Sequence, residues 1–167
     1  MKITITRHGE TVEGLRGEAL GGRRHGHLAP SGKEQARVLA KNLRSEKYDM
    51  IFSSYLKRAK DTALEVAKYH PKTPIKFLKV LRERDPGESP EAICKRIKDF
   101  LEKYVSSRFI SILIVSHTGT SRALTLMIQG QTAVEWESID QMKNTAVSIF
   151  EVEPGKKGKC LIWNKLI

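Results

Sequence analysis

The run Phe109-Ile110-Ser111-Ile112-Leu113-Ile114-Val115 is apolar at all but one position. A strand with one wet face alternates apolar and polar residues; this one does not, so it reads as a central strand covered on both faces. It is far shorter than the roughly 20 residues that a membrane helix requires. A doubly covered strand implies helices on either side of a sheet, and the remaining sequence supplies them.

An alternating Ile- and Thr-rich strand spans residues 1–6 and leads into Arg7-His8-Gly9-Glu10-Thr11. Residues 9–30 form a long loop with glycines at 14, 17, 21, 22 and 26, and loops of this length in compact domains are usually functional or mobile. Ser31-Gly32-Lys33-Glu34 has the form of a capping box and opens a helix to about Ser45. A second strand over 48–53 precedes a helix from Ser54 to the His70-Pro71 stop. Residues 75–78 form a short third strand, followed by a polar loop over 79–88. Ser89 as N-cap with Pro90 in the first helical position starts a helix to about Val105. The strand over 109–116 is followed by a helix over 118–129 with Gly130 as its stop. Strands over 145–153 and 159–167 flank a turn at 154–158. Alternating strands and helices imply parallel pairing through right-handed crossovers. The expectation is one α/β domain over 1–167: a three-layer α/β/α arrangement, a mostly parallel central sheet and an antiparallel edge hairpin at the C-terminus.

Ligands of such sheets sit beyond the carboxyl ends of the strands. Those ends deliver Arg7-His8, Ser53-Ser54 leading to Arg58, Glu83, and Ser116-His117. Arginine forks match phosphate oxygens, so Arg7 and Arg58 would form an anion clamp. A neutral histidine is a competent nucleophile towards phosphorus, and flanking guanidinium charges favour the neutral form. A carboxylic acid could protonate the leaving oxygen and later deprotonate water; Glu83 is preferred, with Asp85 and Glu88 as competitors. This chemistry closes with side chains alone, so no metal or other cofactor is expected.

Arg7-His8-Gly9-Glu10-Thr11 resembles the signature of the histidine phosphatase, or phosphoglycerate-mutase-like, superfamily. Further segments resemble that family in its order: His27-Leu28-Ala29-Pro30-Ser31-Gly32-Lys33-Glu34-Gln35-Ala36; Ser53 to Ala63 with Arg58-Ala59 and Thr62-Ala63; Leu81-Arg82-Glu83 followed by Gly87; and Val115-Ser116-His117-Thr118-Gly119. The resemblance covers residues 7 to about 124. It implies His8 as a phosphorylated nucleophile, Arg7, Arg58 and His117 as a phosphate pocket, and Glu83 as proton donor. Thr11, Gly14 and Thr118 would lie against phosphate or substrate. Gly14 departs from the family's usual Asn, and the family's insertion over the site is nearly absent, so the pocket should be short and open.

The function expected is a phosphatase that hydrolyses phosphomonoesters through a phosphohistidine at His8, acting on a small phosphorylated substrate or a phosphoprotein. The alternatives are mutase-type phosphoryl transfer, against which the short lid argues, and a non-catalytic phosphate- or nucleic-acid-binding module. The net charge of +11 suits polyanions in general. No nucleic-acid-binding signature accompanies it, aromatics are sparse at 7%, and nucleic acid is disfavoured. No signal-peptide pattern opens the chain, and a cytoplasmic location is expected. A homodimer is allowed. Cys94 and Cys160 read as ordinary thiols, Arg23-Arg24 as a solvated pair, His25, His27 and His70 as incidental loop residues, and Trp136 and Trp163 as packing residues.

Overall fold

The computed structural model describes residues 1–105 and 108–167. Its strands are β1 (Lys2–Arg7), β2 (Met50–Ser54), β3 (Ile75–Leu78), β4 (Ser111–Ser116), β5 (Val147–Glu151) and β6 (Lys159–Lys165). They form one sheet in the order β3-β2-β4-β1-β5-β6. The first four are mutually parallel, whereas β5 is antiparallel to both β1 and β6. The helices are α1 (Val12–Leu15), α2 (Pro30–Asn42), α3 (Lys57–Ala67), α4 (Pro90–Tyr104) and α5 (Thr118–Ile128), with 3-10 turns at Lys79–Leu81 and Ala133–Ser138.

The doubly covered strand is β4. Ile112 and Ile114 point to one core together with Ile93, Ile97 and Phe100 of α4 and Leu124 of α5. Leu113 and Val115 point to a second core with Leu39 and Ala40 of α2 and Ala59, Ala63 and Val66 of α3. Period-two alternation therefore feeds both layers, and every β4 residue is buried. This is the three-layer arrangement expected, with β5 and β6 as the antiparallel edge.

Several boundaries differ from expectation. The capping box at Ser31 does not form: α2 begins at Pro30 with Ala29 as N-cap and no side-chain cap bond. The Ser31 hydroxyl donates instead to Glu10 Oε2 at 2.6 Å. Helix α3 starts at Lys57 rather than Ser54, because Ser53 and Ser54 extend β2 and Ser54 Oγ accepts from Leu56 N at 3.3 Å. Strand β4 starts at Ser111, where the Asp49 carboxylate accepts from Ile110 N at 2.6 Å and Ser111 N at 2.9 Å. The α4 cap is as expected, with Ser89 accepting from Ala92 N. The connection after α5 contains an unanticipated capped turn, in which Thr132 and Glu135 form a reciprocal capping box.

Candidate active site

Strands β1 and β4 are adjacent, and their register pairs Arg7 with Ser116. The next residue on each chain is a histidine, so the sheet delivers His8 and His117 side by side; their ring centroids are 5.0 Å apart. His8 N donates to Ser116 O at 3.1 Å, which continues the ladder by one bond. Both rings are buried. His8 Nδ1 lies 2.7 Å from Gly9 O; a carbonyl only accepts, so Nδ1 carries the proton and Nε2 presents a lone pair. Burial, then the Arg58 and Arg7 charges, hold the His8 imidazole well below the ordinary histidine range. His117 is likewise held low, by burial first and then by His8, Arg58 and Arg7. Among the described residues neither His117 ring nitrogen has a hydrogen-bond partner, so both remain free to bind a ligand or water.

The backbone around His8 is tightly supported. Gly9 N donates to Thr62 Oγ1 at 3.1 Å, and Glu10 N donates to Gln35 Oε1 at 2.8 Å. Gly32 allows α2 to press on this turn, since a Cβ there would stand 1.9 Å from Glu10 O. The segments around Gly32-x-x-Gln35 and Thr62 thus hold the histidine in place.

Arg58 lies in the first turn of α3, buried, with Nε donating to His8 Nε2 at 3.2 Å. Its Nη1 donates to Arg24 O at 2.6 Å and His25 O at 3.0 Å, and Nη2 donates to Gly21 O at 3.0 Å. One guanidinium therefore binds the nucleophile candidate and laces down the glycine-rich loop. Burial pushes its pKa down to about 10, which leaves it cationic at neutral pH. Arg7 Nη1 donates to Met142 O at 2.9 Å, and Arg7 Nε is buried with no hydrogen-bond partner among the described residues. His25 is not incidental: its Nδ1 accepts from Lys57 N at 3.2 Å, capping α3. Arg24 supplies its carbonyl to Arg58, while the Arg23 side chain is exposed and pairs with Asp85 at 3.4 Å.

Glu83 follows the 3-10 turn after β3. Its Oε1 accepts from Arg84 N at 2.7 Å and from Gly119 N, at the start of α5, at 2.9 Å. Burial raises its pKa despite those bonds and the nearby Arg58 and Arg7. The competing carboxylates are committed elsewhere. Asp85 accepts from Gly22 N and pairs with Arg82 and Arg23. Glu88 pairs with Arg96 and Arg82 and, although desolvation opposes it, is held down at about 2 by the Arg96 hydrogen bond and the other donors.

Arg7, His8, Arg58 and Glu83 line a cleft of about 570 Å³; His117, fully buried beside His8, is not among its lining residues. Thr11, Gly14 and Thr118 line it as well. Thr11 Oγ1 accepts from Gly14 N at 3.0 Å, and Thr118 Oγ1 donates to Met142 O at 3.4 Å. Residues 18–21 of the glycine-rich loop line it too. Three contributors lay outside the sequence reading. Asn144 Nδ2 donates to His8 O at 2.9 Å, Met142 supplies the carbonyl bound by Arg7, and Thr145 N donates to Arg7 O at 3.1 Å. Thr145 holds a left-handed φ of 54°, uncommon for a β-branched residue. Among the described residues, no group of three or more His, Cys, Asp or Glu is placed to hold a metal ion.

A neutral imidazole lone pair, a cationic clamp and a carboxyl whose pKa burial raises form a set suited to transfer of an anionic phosphoryl group. Known proteins point to the same chemistry. Phosphoserine phosphatase 1 of Hydrogenobacter thermophilus is 27% identical over 186 aligned residues, covering 92% of this chain and 87% of its own. Two solved structures share the fold. A mycobacterial glucosyl-3-phosphoglycerate phosphatase in complex with VO3 superposes with a TM-score of 0.86 over 98% of both chains at 19% identity. The alpha-ribazole phosphatase of Shigella flexneri superposes with a TM-score of 0.86 at 22% identity, over 99% of this chain and 96% of its own. A family model, histidine phosphatase superfamily (branch 1), matches residues 3–88 and 83–165. The chain thus belongs to the histidine phosphatase superfamily, branch 1.

Proposed function

We propose that this chain is a phosphatase that hydrolyses small phosphomonoesters with His8 as its nucleophile. The observation that carries the reading is the tautomer of His8: Nδ1 donates to Gly9 O, so the Nε2 lone pair faces the cleft beside Arg58 and His117. An entering phosphoryl group takes over the Arg58 Nε donor and thereby frees that lone pair. Arg7, Arg58 and His117 bind the phosphoryl oxygens and offset the charge that develops on them. Nε2 attacks phosphorus, the ester P–O bond breaks, and Glu83 protonates the departing oxygen. The Glu83 carboxylate then takes a proton from water, whose oxygen attacks the phosphohistidine and releases phosphate and free His8. A cleft of about 570 Å³ is in the size range of small-molecule sites, which favours a small substrate over a folded phosphoprotein.

The test is hydrolysis of an aryl phosphate, with and without chelator, by wild type and His8→Ala, together with trapping from a ³²P-labelled substrate. Expected are turnover that survives EDTA, a loss of about 10³-fold or more in His8→Ala, and an acid-labile label absent from the variant. An acid-stable label, or equal turnover by the variant, sinks the assignment.

A further inference from the structure

Helix α3 carries Arg58 in its first turn, yet its own N-cap residue cannot finish that turn. Leu56 occupies the position, and a leucine side chain offers no acceptor. The glycine-rich loop supplies the missing acceptors from one residue. His25 Nδ1 accepts from Lys57 N at 3.2 Å, and His25 O accepts from Arg58 N at 3.5 Å. The opening N–H groups of the helix, which have no partner within it, therefore end on His25. Because Lys57 N can only donate, the ring proton of His25 sits on Nε2, the reverse of the tautomer at His8. The same ring stands edge-on to Tyr55, with centroids 5.5 Å apart and planes at 82°.

The His25 carbonyl has a second task. It accepts from Arg58 Nη1 at 3.0 Å, next to Arg24 O on the same nitrogen and Gly21 O on Nη2. Three of the five guanidinium N–H groups thus go to loop carbonyls, and Nε is left turned towards His8 Nε2. Any residue could supply such a carbonyl; the ring bond to Lys57 N sets where along α3 this one lies. The imidazole itself is exposed and does not line the cleft. Its route to the chemistry therefore runs through Arg58.

We propose that His25 is a positioning residue, whose ring caps α3 and thereby holds its own carbonyl, and with it the Arg58 guanidinium, in the orientation that meets the phosphoryl group. This rests on the reading of Arg58 as part of the phosphate clamp. An arginine side chain loses rotamer freedom when it is fixed, and fixing it before substrate arrives removes that cost from binding.

The test compares wild type with His25→Ala, His25→Phe and His25→Asn, each made also with Arg58→Lys. Phenylalanine keeps a ring beside Tyr55 without an acceptor; asparagine sets Oδ1 as many bonds from Cβ as the imidazole Nδ1 and is a good helix cap. Calorimetric Kd values for inorganic phosphate report on the clamp whether or not the chain turns a substrate over, and kcat and KM for an aryl phosphate report the catalytic consequence. Phosphate binding and kcat/KM should weaken by about tenfold in His25→Ala and His25→Phe, the size of one displaced charge-assisted hydrogen bond, and should be largely restored in His25→Asn. With Arg58→Lys, which has no Nη1, the His25 substitutions should change the phosphate Kd little further. Kd and KM are properties of the folded molecules, so a smaller folded fraction does not imitate the effect. Phosphate binding unchanged in His25→Ala and His25→Phe, a loss that asparagine does not relieve, an equal loss in the Arg58→Lys background, or no phosphate binding by wild type overturns the proposal. Phosphate binding without aryl phosphate turnover overturns the phosphatase reading alone.

Discussion

At the scale of single residues, the site divides two titrating groups by environment. His8 is kept neutral by burial and two guanidinium groups, whereas Glu83 is kept protonated to higher pH than an ordinary carboxyl by burial. For an alkyl phosphate, whose leaving oxygen needs a proton, kcat should therefore fall as pH rises through the elevated Glu83 pKa. In Glu83→Gln that alkaline limb should vanish and kcat drop by about 10²–10⁴-fold; an unchanged profile refutes the role. The same shift bears on stability. A carboxyl with a raised folded pKa favours the fold below its unfolded value of about 4.5 and loses that contribution as pH rises through the folded pKa. Glutamine can keep both N–H bonds to Oε1 without the charge, so Glu83→Gln should unfold at no lower temperature than wild type near pH 8, by calorimetry.

At the scale of elements, the turn after β1 is held by contact with α2, and glycine is required where the two backbones meet. A Cβ on Gly9 would lie 2.4 Å from Gly32 O. Since backbone rather than a flexible side chain is struck, Gly32→Ala should cost about 1–3 kcal/mol of stability and displace His8, lowering kcat as well; urea titration and aryl phosphate turnover check both. Much of this architecture was legible in the sequence. The β4 run, the α4 cap and the strand-end residues Arg7, His8, Arg58, Glu83 and His117 announced the layers and the cluster. Less legible were choices decided at long range. Ser31-x-x-Glu34 and Thr132-x-x-Glu135 carry the same capping signature, yet only the second closes, because Ser31 finds Glu10 and the first helix starts at Pro30, two residues early. Met142 and Asn144 act on the site from a stretch with no expected element, and Thr145, expected to open a strand over 145–153, donates its backbone N–H to Arg7 O ahead of β5; nothing local marks any of them. The glycine-rich loop was legible as special, but its attachment to Arg58 through three carbonyls was not, since any residue supplies a carbonyl.

At the scale of the whole molecule, a carboxyl held well below its ordinary range lies in the cluster that braces the Glu83 loop against α4. Glu88 accepts from Arg96 and Arg82, and Arg96 Nη1 donates to Val80 O at 2.6 Å. With its folded pKa at about 2, Glu88 contributes stability that is fully present above about 4.5 and lost as pH falls towards 2. Glu88→Gln should be less stable than wild type by about 2 kcal/mol at neutral pH, and the gap should close between pH 4.5 and 2. A pH-independent gap in urea titrations would refute the linkage.

The bonds that reach Arg7 and His8 from Met142, Asn144 and Thr145 also have a meaning in time. A chain synthesised only as far as residue 140 already contains His8, Arg58, Glu83 and His117, yet lacks the carbonyl that anchors Arg7, the amide that anchors His8 and the strand that flanks β1. The segment around His8 is therefore among the last to be set, and a growing chain carries His8 without these anchors until residues 142–151 have been made.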